Sequence, residues 1–458
     1  MIRIGERYGS ILPQAPYICT IGAEYRMMRS IELFTGAGGL ALGTHQAGFH
    51  HLAVVERDHD ACDTLRLNVE HRSVTGVGWP IIEGDVANVD FSQFPEGIDL
   101  LAGGAPCQPF SLGGKHAGEA DKRNLFPQVF RAVRELHPRA FLLENVKGLT
   151  RESFKPFFDY IIEQLGVPHL ELRAGEGWEE HKSRIAEQPA FYFRFEPEHQ
   201  AQDPARCYAV QHRVFNVADF GVPQQRHRVF IVGFRLDLAA YWAFPTPTHS
   251  ENALVYAQYV DGSYWDEHGL ERRPAPARLA ARVARLGAQA KPVEQRWRTV
   301  RDAITDLPEP IDYERHPLID NHVGIPDARV YKGHTGSPWD WPAKAIKAGD
   351  HGNPGGENML RRDDGSVRYF TVRELARLQT FPDQWRLANS WTETRRQLGN
   401  AVPVKMAEMI ARQMYKELER LDTAPLARHR TLVLKSAMLV APTARPPLRA
   451  PAGTDFPT

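Results

Sequence analysis

Short apolar runs alternate with helical stretches from residue 31 to residue 145, and no other feature constrains the fold of this chain as tightly. Ile31-Glu32-Leu33-Phe34 leads through a glycine turn into a helix from about Leu40 to Ala47. His51 to Glu56 is a second strand, followed by a helix around Asp60–Val69. Ile98–Ala102 and Ala140–Glu144 add two more apolar runs. Strands alternating with helices predict an α/β fold with a parallel, doubly wound sheet. Tyr208–Asn216 and Arg228–Phe234 then predict a hairpin at its edge. Beyond Phe234 the texture changes. Residues 243–365 are rich in Pro, Gly, Trp and charge with weak periodicity, which predicts a small irregular domain. Helical periodicity returns over Val372–Leu378 and Pro403–Leu421, and the stretch from Thr423 to Thr458 carries six prolines and reads as a disordered tail.

Within this frame Gly104-Ala105-Pro106-Cys107-Gln108-Pro109-Phe110-Ser111 stands out. It follows the third apolar run, so it leaves the carboxyl end of a strand, where open α/β sheets bind ligands. Proline fixes its own φ and pushes the preceding residue toward extended backbone. A sulfur between two prolines is therefore held on a stiff loop. A lone cysteine is ordinarily a buried structural thiol, but this backbone suits a positioned nucleophile.

The glycine turn admits two readings. Gly36-x-Gly38-x-x-Ala41 follows a strand and opens a helix, with Glu56 near the offset of a ribose-binding acid. On that motif alone a nicotinamide dehydrogenase is open. That reading explains only residues 34–56, and Phe34, the Gly38-Gly39 doublet and the later Gly84-Asp85-Val86 tilt away from it. It leaves Pro106-Cys107-Gln108, Glu144-Asn145-Val146 and Gln224-Gln225-Arg226-His227-Arg228 unused, and a further block stands at Gln397-Leu398-Gly399-Asn400-Ala401-Val402-Pro403.

Taken in order, these blocks resemble the DNA cytosine-C5 methyltransferases over roughly 30–235 and 366–410. The resemblance implies a Rossmann-like methyltransferase sheet that binds S-adenosyl-L-methionine through Phe34, Gly36, Gly38, Glu56, Asp85, Pro106 and Asn400. It implies Cys107 as the nucleophile at cytosine C6, Glu144 as the grip on N3 and Arg228 as the ligand of the ring carbonyl, with Arg226 beside it in a catalytic pair that suits a carbonyl or phosphate. With strand alternation, those two arginines are expected on one face. Gln108 and Ser111, on the Cys107 loop, are expected to meet the DNA. The implied organisation is an N-terminal extension (1–27), a catalytic domain begun by 28–242 and completed by 366–422, an inserted target-recognition domain (243–365) and the tail (423–458). Ala345 departs from the threonine that many members carry, and the expansion around Arg173–Arg206 has no assigned role. An RNA cytosine methyltransferase would share the chemistry, though that branch has a shorter insert; a non-catalytic regulator would be expected to lose Cys107 or Glu144.

Charge bears on the partner. Lys plus Arg and Asp plus Glu both number 56, so the chain has no net charge. Between Glu271 and Arg301, however, nine basic residues face two acids, a local net of +7. A solvated helix face is the plain reading of such a run; neutralised phosphates are the sharper one. On the second reading Arg296, Arg298 and Arg301 contact double-stranded DNA. No apolar stretch reaches the ~18–20 residues of a membrane helix. Four scattered cysteines (Cys19, Cys62, Cys107, Cys207) exclude a Cys-x-x-Cys zinc site and suit a reducing cytoplasm. No metal is expected, the chain is expected to be a monomer, and a restriction endonuclease acting on the same site is a conceivable functional partner without a stable complex. Met28 reads as the natural start, with residues 1–27 dispensable for stability.

Overall fold

The computed structural model describes residues 26–71, 74–76, 78–95, 97–106, 125–187, 203–238, 240–330, 335–349 and 358–423. The alternation expected from sequence is realised as β1 (Arg29–Leu33), α1 (Gly39–Gln46), β2 (His50–Glu56), α2 (His59–His71), β3 (Ile81–Glu83), β4 (Leu100–Gly103), α3 (Phe126–Leu136) and β5 (Ala140–Val146). Next come α4 (Lys155–Gly166), α5 (Trp178–Ala186), and the hairpin β6 (Tyr208–Asn216) and β7 (His227–Arg235). The seven strands lie in the order β3-β2-β1-β4-β5-β7-β6. All pairings are parallel except β5 with β7 and β7 with β6. The chain steps outward from β1 to β3 and then crosses to β4, so the topology reverses between β1 and β4. Ligands enter such sheets at the carboxyl ends of the strands flanking that point.

Because both faces are covered, the central strands are apolar on both. Ile31, Leu33, Leu101, Phe141 and Leu143 pack with Phe126, Val133, Ile161 and Leu165 of α3 and α4. Leu100, Ala102, Ala140 and Leu142 face the other way. There they meet Leu40 of α1 and a row from Met406 to Leu421 on the last described helix. That helix is part of a return segment: α6 (Val372–Leu378), α7 (Trp391–Asn400) and α8 (Val404–Thr423). The structure moves one boundary, since Gly103 pairs with Leu33 and Leu143 as the last residue of β4 and the turn begins only at Gly104.

β1 carries an oddity. Glu32 is buried, neither carboxyl oxygen has a hydrogen-bond partner, and burial holds its pKa well above the ordinary carboxylate range. A carboxyl raised in the folded state is bound to its proton more tightly there than in the unfolded chain. Its cost is absent below the unfolded pKa and grows as pH climbs toward the folded one. Glu32→Gln should therefore melt like wild type near pH 4 and above it near pH 8. Equal melting temperatures at both pH values would contradict this.

The insert is more regular than its sequence suggests. It contains helices at Glu251–Tyr259, Ser263–Glu267, Ala280–Gly287 and Val300–Ile304. Ser250 and Thr299 cap two of them by accepting from Ala253 N and Asp302 N. These helices are short; the first two pack around Tyr264, Trp265 and Trp297, while Leu286 and Val300–Ile304 join separate clusters, so no long stripe forms and the periodicity is weak. Ala343-Lys344 pairs in parallel with Gln224-Gln225 and draws the insert against the hairpin entry.

At the amino end Met28 is 2% exposed within the core, and upstream of it Arg26 donates to the buried Asp99 at 3.0 Å. The expectation that nothing before Met28 packs is corrected at that one residue. Residues 1–25 and 424–458 lie outside the described residues. Of the expansion near 173–206, α5 lies against α4 through Ile185 and the pairing of Tyr160 with His181.

Candidate active site

A cleft of about 400 Å³ opens at the reversal point. Its walls come from the turn after β1, the ends of β2, β3, β4 and β5, and the close of α7. Gly38 takes φ +88°, and a Cβ there would fall 2.9 Å from the Trp385 ring. Gly36 takes φ +55°, and Phe34, unusually for a residue with a side chain, takes φ +57°. Such positive φ is strained for phenylalanine and marks functional turns. Glu56 holds the turn: Oε2 accepts from Gly36 N at 2.7 Å, and Oε1 accepts from Arg57 N and Asp58 N, each at 2.8 Å. Across the cleft Asp85 caps the next turn, accepting from Ala87 N at 2.9 Å. Asn400 completes the wall from the return segment.

The second half of the cleft holds a buried ion pair. Glu144 lies in the buried run of β5, and its Oε1 is 2.7 Å from Arg228 Nε on the neighbouring β7. Burial raises the Glu144 pKa, opposed by the charges of Arg228 and Arg226. A buried carboxyl so poised can hold or release a proton beside a ligand. Asn145, one residue on, donates from Nδ2 to Ala105 O at 3.2 Å and so fixes the chain entering Pro106, which lines the cleft. Cys107, Gln108 and Ser111 lie outside the described residues. Cys62 and Cys207 are buried thiols, which burial pushes up to about 12 and about 11.

Thus Phe34, Gly36, Glu56, Asp85, Pro106, Glu144, Arg228 and Asn400 come together around one cleft. Gly38 does not; it faces Trp385. Nor does Arg226, although burial still alternates from Gln224 to Arg228 and Arg226 lies near enough to feel the charges of Arg228 and Glu144. Its Nη1 donates to Ile346 O at 2.8 Å, and its Nη2 to Gly399 O at 2.6 Å and Ala401 O at 3.2 Å. Arg226 ties the insert to the wall that carries Asn400. Gln224 and Gln379 extend this knot, with Gln224 Oε1 accepting from Ile346 N and Gln379 Nε2 donating to Leu398 O. Sequence reading missed Arg396 in the cleft, whose Nη2 reaches Asp58 at 2.7 Å. Its place beside the Gln397-Leu398-Gly399-Asn400 block was the available signal.

The basic run is also corrected. Arg296 pairs with Asp302 at 2.7 Å and Glu267 at 2.9 Å, and Arg301 with Asp340 at 2.6 Å. Arg272, Arg282 and Lys291 likewise meet Asp266, Glu251 and Asp261. Arg298 alone of the expected three is exposed, donating once to Asp302 O. Replacing Arg296 and Arg301 with methionine should therefore lower the melting temperature, at about 1–3 kcal/mol of stability for each charged pair removed, since Asp302 keeps His268 and Thr299 and Asp340 keeps Tyr264 and Arg273. The salt dependence of DNA binding should stay unchanged. A DNA-binding slope smaller by one or two units at wild-type stability would restore the phosphate reading.

None of the described helices is long and apolar enough to cross a membrane. The profile of the C-5 cytosine-specific DNA methylases matches residues 28–167 and 205–416. Type II methyltransferase M.NgoMIV of Neisseria gonorrhoeae is 30% identical over 395 residues, covering 85% of this chain and 98% of its own length. M.PspPI of Psychrobacter sp. is 32% identical over 399 residues, covering 85% and 79%. M.Eco47II of Escherichia coli is 31% identical over 403 residues, covering 86% and 80%. With most of its length matched by that profile and by these relatives, the chain belongs to the C-5 cytosine-specific DNA methylase family and is a DNA (cytosine-5-)-methyltransferase.

Proposed function

We propose that the chain methylates C5 of a cytosine flipped out of a specific double-stranded DNA sequence, using S-adenosyl-L-methionine and a covalent link from Cys107 to C6. The observation that carries the reading is the pairing of Glu144, raised by burial, with Arg228 inside the cleft that Glu56, Asp85 and Asn400 also line. The cleft fits the cofactor: carboxylates suit the hydroxyl and amino donors of an adenosyl group, and the Phe34 ring suits its base. When bound, the cofactor supplies an electrophilic methyl group on a sulfonium.

Cytosine C5 is too weak a nucleophile to take that methyl unaided. The Cys107 thiolate adds to C6, which makes C5 enamine-like. Glu144 holds a proton at the N3 edge and Arg228 donates to the ring carbonyl, so both stabilise the charge pushed into the ring. After transfer, loss of the C5 proton to solvent base restores the double bond and expels Cys107. The base is unreachable within a duplex, and its extrusion costs a few kcal/mol. Residues 243–365 serve as the recognition domain that offsets this cost, and the return segment 366–422 closes the cofactor pocket. By analogy with its type II relatives, the chain protects a site that a cognate restriction endonuclease cuts, working as a monomer in the cytoplasm.

DNA containing 5-fluorocytosine tests the covalent route, because fluorine cannot leave as the C5 proton does. A denaturation-resistant protein–DNA adduct is expected in the presence of cofactor. Its absence, under conditions where ordinary DNA is methylated, would remove the Cys107 link. Bisulfite sequencing of DNA from cells expressing the chain tests the whole reading, which an unmethylated genome overturns. Glu56→Ala should weaken cofactor binding by at least about tenfold, since a charge-assisted contact of ~1.5–3 kcal/mol is lost together with the prop of Gly36. Calorimetry reads this directly.

A further inference from the structure

Positive charge for a bound duplex is scarce on this chain. Its net charge is zero, and the basic run near 271–301 is largely consumed by internal pairs. The described cations that line the cleft are taken as well. Arg57 faces Asp85, Arg228 faces Glu144, and Arg396 faces Asp58 and Glu393.

The mouth of the cleft is different. Beyond β5 the chain enters a tight turn, Lys147–Thr150, which Arg151 closes. Lys147 is exposed and Arg151 half-buried, and neither meets a carboxylate among the described residues. Glu152, the acid next in sequence, is exposed and pairs with neither. The turn is firmly built. Thr150 Oγ1 donates to Lys147 O at 2.9 Å, Arg151 N donates to Gly148 O at 3.3 Å, and Leu149 is buried in the core beneath.

The sheet fixes where this charge sits. Val146 pairs with Arg228 on the last rung between β5 and β7, so Lys147 and His227 lie together just past it. Burial, Lys147 and Arg228 lower the His227 pKa, in keeping with an ammonium beside that ring. Lys147 is three residues beyond Glu144, roughly 10 Å at the rise of a strand, toward the open end of the cleft. A cytosine gripped by Glu144 and Arg228 stays tethered to its own strand. The phosphates on either side of it must therefore cross this mouth.

We propose that Lys147 and Arg151 clamp a phosphodiester next to the extruded cytosine, on the strand that carries it. This rests on the reading of double-stranded DNA as substrate. An ammonium and a guanidinium without internal acids suit a phosphate, and such contacts position the strand without reading its sequence.

Lys147→Gln, Arg151→Gln and the double variant, each in the full chain, test it. All three should melt near the wild-type temperature, since exposed charges without partners hold little stability, and should bind the cofactor as wild type does. DNA affinity of the double variant should fall about tenfold or more, the loss expected for charged hydrogen bonds. Its slope of log K against log salt should shrink by about one to two units, alike for all sequences. Lys147→Arg should keep the wild-type slope. Once bisulfite sequencing has given the target site, a duplex with one neutral methylphosphonate beside the target cytosine locates the contact. It should weaken wild type severalfold and the double variant scarcely, because the two changes remove the same interaction. An unchanged slope and affinity would overturn the inference. So would an equal response of both proteins to the flanking methylphosphonate, which would make the turn general surface charge. If the wild type itself neither binds duplex DNA nor methylates cytosine, the functional reading falls first; if it does both and the double variant matches it, this inference alone falls.

Discussion

Alanine at Cys107 should reduce methyl transfer by about 10⁴-fold or more, the scale on which enzymes lose their covalent nucleophile, with melting temperature and cofactor affinity near wild type. The frame that delivers residue 107 is well determined. Gly103 is locked into the sheet between Leu33 and Leu143, Asn145 fixes Ala105 O, and Pro106 sets the next turn of the chain at the cleft. No described thiol can stand in, since Cys62 and Cys207 are buried and held protonated. Labelled methyl incorporation reads the loss, and calorimetry with the cofactor confirms the pocket. A variant retaining more than about 1% of wild-type transfer would exclude the covalent route, given the rate loss that removal of a nucleophile brings.

Arg226→Ala should show the opposite signature. The buried carbonyls of Ile346 and Gly399 lose their Arg226 donor at once, and that of Ala401 keeps only Gln379 Nε2 at 3.3 Å. Unpaired buried groups and the vacated volume together cost about 3–5 kcal/mol, a fall of roughly 5–10 °C in melting temperature for a protein of this kind. The Asn400 wall and the insert chain both loosen, so KM should rise for cofactor and for DNA, with kcat affected less. Lysine cannot span three carbonyls and should rescue little. A variant that melts like wild type but loses kcat would return Arg226 to the substrate, as strand alternation predicted.

Those two residues illustrate what a reading of the chain can reach. Cys107 stands out in the sequence because its constraint is local, two flanking prolines and a strand before them within eight residues, though residue 107 itself lies outside the described residues. Arg228 and Glu144 are found through the resemblance of their blocks to the family, which carries their roles. What Arg226 does cannot be read so, because its partners Ile346, Gly399 and Ala401 lie 120, 173 and 175 residues away. Likewise the basic run looked free because acids were counted only nearby. Asp340 and Asp363, which receive Arg301 and Arg273, are 39 and 90 residues away.

The sequence by itself determined the sheet and the glycine turn with its acid at Glu56, since short-range dihedral preference and periodicity decide both. Only the tertiary structure decided which charges stay available. It turns Arg296 and Arg301 onto acids, makes Arg226 a clasp between the insert and the return segment, and leaves Lys147 and Arg151 without an acid among the described residues. The reason is physical: a charge is defined by what surrounds it in three dimensions, and those neighbours arrive from segments that no local pattern connects.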